Sequence, residues 1–136
     1  MTGIKMIIAA VSLSIFAATA AKAKPIRQHG DATVIGGRPD GCPFRFCGCG
    51  LRKYLGIPDK RLDLAWNWAR LFPRTYAHAG AAAVRHGHVM LLERHVGGSD
   101  WLVRDYNGGK HLAWLHVRNV SGYVFVEPSR QIAGMQ

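Results

Sequence analysis

Between Arg85 and Gly109 the chain alternates apolar and polar positions in two runs joined at Gly97-Gly98. Successive side chains on a strand point to opposite faces, so this alternation predicts two half-buried strands. A Gly-Gly pair tolerates positive φ at both central positions of a two-residue turn, so the two runs read as one hairpin. A turn at Gly97-Gly98 places His88 opposite Asn107, with Asp105 on the same face and one diagonal away.

The same reading extends to both sides. Gly80–Val84 is a short apolar strand, Leu115–Val117 and Gly122–Val126 complete a sheet, and Pro128 stops it. Ahead of the strands the period changes to that of a helix. In Gly41–Ile57, Cys47, Leu51, Tyr54 and Leu55 share one helical face, and Gly56 and Pro58 supply the stop. In Asp59–Phe72 a second helix is predicted. Asp59 caps it, Leu62, Ala65, Trp66 and Ala69 form its stripe, and Pro73 follows its end. Leu64, Trp68 and Leu71 widen that stripe, so contact on two sides is expected, with the Trp pair in the core or one ring at the rim of a cleft. Helices followed by a meander of strands make an α+β arrangement, N-terminal helices packed on a small antiparallel sheet.

The length of 136 residues fits one domain. Residues 1–23 read as a secretory signal peptide. Lys5 is the charged region, Met6–Ala18 the apolar core, and Ala18-Thr19-Ala20 or Ala21-Lys22-Ala23 the small-x-small cleavage pattern. The expected organisation is a flexible N-terminal arm at 24–40, a folded domain at 41–128 and a C-terminal tail at 129–136. The apolar run is short for a membrane span and no second one follows. A periplasmic or secreted monomer without a transmembrane segment is therefore expected. The net charge is +10, and loss of Lys5 and Lys22 with the signal leaves 16 basic against 8 acidic side chains. That excess favours an anionic partner, and the predicted export selects peptidoglycan or another envelope polymer over nucleic acid. No reading helix or aromatic-basic stacking surface argues for nucleic acid.

Export gives the three cysteines, Cys42, Cys47 and Cys49, a redox context in which an odd count leaves one thiol over. Zinc would want a fourth ligand and regular spacing, so no metal or cofactor is expected. Cys47 and Cys49 project about 200° apart on a helix and are poorly placed to pair. Cys42 and Cys49 could close across the Gly41-Cys42-Pro43 turn and leave Cys47 free. Cys47 would then lie in the first turn of the helix, where unpaired N–H groups and the dipole favour a thiolate. Gly48 and Gly50 cost helix stability but allow close backbone approach beside the sulfur.

Three features carry a resemblance to the CHAP and NlpC-type branch of papain-like cysteine amidohydrolases. They are Phe46-Cys47 at a helix start, Gly87-His88-Val89 opening a strand, and the polar pair Asp105 and Asn107 followed by Gly122-Tyr123. The resemblance spans about 41–128 and implies a papain-like fold and cleavage of amide bonds in peptidoglycan stem peptides. It implies Cys47 as nucleophile, with Cys49 as rival, and His88 as general base and acid, with His86 as rival. Asp105 or Asn107 would orient His88, and N–H groups at Cys47 and Gly48 would hold the oxyanion. The chain departs from the pattern at Gly80-Ala81, where members often carry Gly-Asp, and at Gly48-Cys49-Gly50, where bulkier residues are common. Those departures leave a second expectation open, an inactive, disulfide-stabilised wall-binding module.

Overall fold

A computed structural model describes residues 32–128. The predicted signal, residues 24–31 of the arm and the tail at 129–136 lie outside them. In chain order the elements are β1 (Thr33–Gly36), α1 (Cys47–Tyr54), a 3-10 turn (Lys60–Asp63), α2 (Ala65–Leu71), β2 (Arg74–Thr75), β3 (Ala82–Arg85), β4 (His88–Gly97), β5 (Asp100–Gly109), β6 (Leu112–Asn119) and β7 (Val124–Val126). The strands form one antiparallel sheet in the order β1-β6-β5-β4-β3-β7-β2.

This corrects the expected fold class. A papain-like arrangement of N-terminal helices on a small sheet is not what forms; a seven-stranded antiparallel sheet dominates, with two helices of eight and seven residues. Two strands have no alternation to reveal them. Thr33–Gly36, inside the predicted arm, is exposed at all four positions and pairs with β6, and Arg74–Thr75 is a two-residue pairing with β7. The last strand also leaves the meander, crossing to pair with β3 and β2.

The predicted second helix is broken for local reasons. Leu64 is extended at φ −88°, ψ 116°, and separates the 3-10 turn from α2. The Asp59 carboxylate accepts from the Arg61 N–H at 3.0 Å, the Trp68 indole N–H donates to the Leu62 carbonyl at 2.8 Å, and the Asn67 amide donates to the Arg61 carbonyl at 2.8 Å. Side chains thus take up backbone groups that a continuous helix would have paired. Leu64, predicted to widen the apolar face, is 64% exposed, while Trp68 is fully buried.

Burial follows the strand alternation on both faces of the central strands. Ala82, Val84, Val89 and Leu91 pack with Leu51, Leu62, Trp68 and Phe72 from the helical layer. Ala81, Ala83, Met90 and Leu92 pack with Trp101, Val103 and Val120, flanked by Ala77, Tyr123 and Phe125. The continuous apolar runs 81–84 and 89–92 therefore serve two cores, the pattern of a strand covered on both sides. α1 is tied to this sheet from its far end, where the Arg104 guanidinium lies 4.1 Å from the Tyr54 ring centroid and bonds Glu93 at 2.7 Å.

The β4–β5 turn lies one residue beyond the expected place. Gly97 pairs with Asp100, so Gly98-Ser99 is the loop, with Gly98 at φ +55°. Irregularities between Leu92 and Arg94 and between His95 and Gly97 each give β4 an extra residue. By Leu91↔Arg104 the register has returned to the one a Gly97-Gly98 turn would produce.

Candidate active site

Cys47 is the first residue of α1, after an N-cap Phe46 that is fully buried and offers no side-chain cap. The leading N–H groups of a helix lack partners within it. Here the Gly48 N–H and, from β4, the Val89 N–H bond the Cys47 sulfur. The close packing of α1 against the 3-10 turn depends on Gly48. A Cβ there would lie 2.1 Å from the Leu62 carbonyl oxygen and 2.9 Å from that of Asp63. The buried Arg52, one turn further along α1, pairs with Asp63 and fixes the same contact.

His88 opens β4, directly after a tight His86-Gly87 turn in which Gly87 takes φ +82°. Its side chain hydrogen-bonds Cys47, and the Gly87 carbonyl lies 3.9 Å from the sulfur. The other end of the imidazole is held by Asp105 on β5, with Nε2 donating to Oδ1 at 2.6 Å. Nε2 is thereby committed, and Nδ1 is the nitrogen left for Cys47. Asp105 is fully buried and bonded through both oxygens. His116 on β6 donates from Nε2 to Oδ2 at 2.7 Å. Gly108 packs over the carboxylate, where a Cβ would lie 2.5 Å from Oδ2.

The charges follow from these contacts. Burial pushes the Cys47 thiol up, but the hydrogen bond and charge of His88, with the Val89 and Gly48 N–H groups, outweigh it and hold the thiol below its usual value of 9.0. Burial likewise opposes the charged form of His88, yet Asp105 and Cys47 push it from 6.5 up to about 9. For Asp105, burial is overcome by the bonds from His116 and His88, which bring it from 3.8 down to about 2. All three shifts favour a thiolate beside an imidazolium, with a carboxylate behind it.

The sequence-predicted residues separate into those brought together and those not. Cys47, His88, Asp105 and the Gly48 N–H converge. Asn107 does not bond His88; it sits at φ +59° in the irregular stretch of β5 between Asp105 and Gly109. Cys49 is joined to Cys42 in a disulfide, with Cα atoms 5.7 Å apart, and Cys47 is the free cysteine. His86 stacks on Trp66 with ring centroids 3.8 Å apart. Of the histidines with no pattern in the sequence, His78 pairs with Glu127, His95 bonds the Gly98 carbonyl and the His111 ring packs tilted against Phe44. His116 is the residue that sequence reasoning missed. It lies across from Val103, two positions before Asp105. Knowledge of the β5–β6 turn would have put it on the Asp105 face.

Among the described residues no three of His, Cys, Asp or Glu are grouped to hold a metal ion, and no helix is long and apolar enough to cross a membrane. No protein-family model, curated protein or solved structure matches this chain.

Proposed function

We propose that this protein is a cysteine-dependent amidase or endopeptidase acting on peptide stems of an anionic envelope polymer, peptidoglycan being the substrate that fits best. The observation that carries the reading is the unbroken chain of contacts from the free Cys47 sulfur through His88 to the buried Asp105. The wall as substrate is supported by the signal-like start and the basic charge of the chain. The likeness to CHAP and NlpC-type hydrolases enters only as the order of Cys, His and acid along the sequence.

In this mechanism the Cys47 thiolate attacks the amide carbonyl carbon, and the carbonyl π electrons move to oxygen. The Gly48 N–H, already directed at the sulfur, donates to that oxygen. One such donor is worth about 3 kcal/mol in comparable sites. His88 gives its proton to the departing amine as the C–N bond breaks, leaving a thioester on Cys47. It then takes a proton from water, whose oxygen attacks the thioester, and the thiolate leaves as the free acid forms. Asp105 holds the ring in orientation and stabilises its cationic form throughout.

Mature protein incubated with purified sacculi under reducing conditions is expected to release soluble muropeptides, and the Cys47→Ala variant is expected to release none. Equal release by the variant, or none by the parent, overturns the proposal.

A further inference from the structure

Asp105 serves two imidazoles, and a stronger competitor stands beside them. Oδ1 accepts from His88 at 2.6 Å and Oδ2 from His116 at 2.7 Å, while Arg118 Nη1 stops 3.7 Å from the same Oδ2. The register explains the crowding. His116 and Arg118 lie across from Val103 and Trp101, on alternate residues of β6 that share the Asp105 face. Gly108 closes the remaining side. A guanidinium carries a permanent charge and five donors in a fork that matches a carboxylate, whereas an imidazole places one N–H on one oxygen. At 3.7 Å Arg118 is already a long ion partner of Oδ2 without a hydrogen bond to it. Hydrogen-bonded there, the guanidinium would neutralise more of the Asp105 charge and leave less for His88.

We propose that His116 is a positioning residue that occupies Oδ2 so that Arg118 cannot, reserving the Asp105 charge for His88. The groups that set the balance come from every element around the carboxylate. Cys47 on α1 and Asp105 on β5 face His88, and His88 on β4 with His116 and Arg118 on β6 face Asp105. Lys110 and His111 belong to the turn beyond Gly109, where the His111 ring packs tilted against Phe44 with centroids 4.1 Å apart. The inference rests on reading Cys47 and His88 as a working pair and is independent of which bond the pair cleaves.

The experiment is an NMR titration of the His88 ring in the mature protein and in four variants, so that failure of the hydrolysis assay leaves the result readable. His116→Ala is expected to lower the His88 midpoint by about one pH unit or more, the size of effect a single charged neighbour produces. His116→Ala combined with Arg118→Ala is expected to return it towards the parent value. His116→Gln keeps one N–H donor on Oδ2 and is expected to hold the parent midpoint, as is Arg118→Ala alone. An unchanged or raised midpoint in His116→Ala overturns the proposal, and so does a double variant that stays as low as the single. An unfolded His116→Ala overturns it too, because Arg118 must be able to move in and satisfy the freed oxygen.

Discussion

The imidazole of His88 is the residue on which reactivity turns, because it is bound at both ends. Replacing it with Ala removes the largest of the contacts that hold the Cys47 thiol down and leaves burial, which raises it, opposed by the Val89 and Gly48 N–H groups alone. The thiol midpoint, followed by ultraviolet absorbance, is therefore expected to rise in His88→Ala, and peptide hydrolysis should fall by at least about 100-fold. In the parent, the acid limb of the rate should lie below the usual thiol range and the alkaline limb near 9, where His88 loses its proton. Asp105 gives a stability signature of known sign. Its folded value of about 2 lies below the ordinary 3.8, so its contribution is present above 3.8 and lost as pH falls through 2. Asp105→Asn is expected to cost about 3 kcal/mol at neutral pH and to flatten the urea midpoint between pH 4 and 2. At this scale the sequence was informative about Cys47, His88 and Asp105, whose placement follows from local period and strand parity. It was silent on His116, whose place depends on the β5–β6 register, and misleading on Asn107. A position opposite His88 matters little once the backbone there takes positive φ.

At the scale of elements, α1 has low intrinsic propensity and is held by what it touches. Gly48 and Gly50 weaken it, yet the first admits the Leu62 carbonyl and the second the Tyr106 ring, whose nearest atom would lie 2.5 Å from an added Cβ. For Gly48→Ala the propensity gain is about 1 kcal/mol. The overlap is with backbone, which cannot rotate away, and overpacking of this kind costs about 1–3 kcal/mol. Net destabilisation of up to about 2 kcal/mol is expected by denaturant midpoint, with slower Cys47 alkylation as the helix start shifts; a stabilised variant would contradict the contact. The start of α1 was legible because Cys47, Leu51, Tyr54 and Leu55 recur at helical spacing. The break at Leu64 was not, since Asp59, Leu62 and Pro73 are equally compatible with one continuous helix, and tertiary bonds from Trp68 and Asn67 decide otherwise.

For the whole molecule, local period marked the helical stretch and the central strands but not the strand ahead of the helices, how many strands there are or which neighbours they choose. The edge pairings of Thr33–Gly36 and Arg74–Thr75 involve exposed or very short segments, and the crossing of β7 to β3 links residues about 40 apart in sequence. Such choices are made by burial across the whole sheet. The Cys42–Cys49 link is the one covalent constraint in this assembly, tying the Gly41 turn to α1. A loop of this length is worth about 2–3 kcal/mol in the chain-entropy account. Under non-reducing denaturation, iodoacetamide is expected to modify Cys47 alone, as read by peptide mass, and prior reduction should expose all three cysteines.

That link also decides the fate of the remaining thiol. With Cys42 and Cys49 spent on each other, the chain holds no second sulfhydryl to resolve an oxidised Cys47. A sulfenic acid formed there has two exits, further oxidation or capture by a thiol from outside. The lifetime of the free thiol is thus set by reductant supplied by its surroundings.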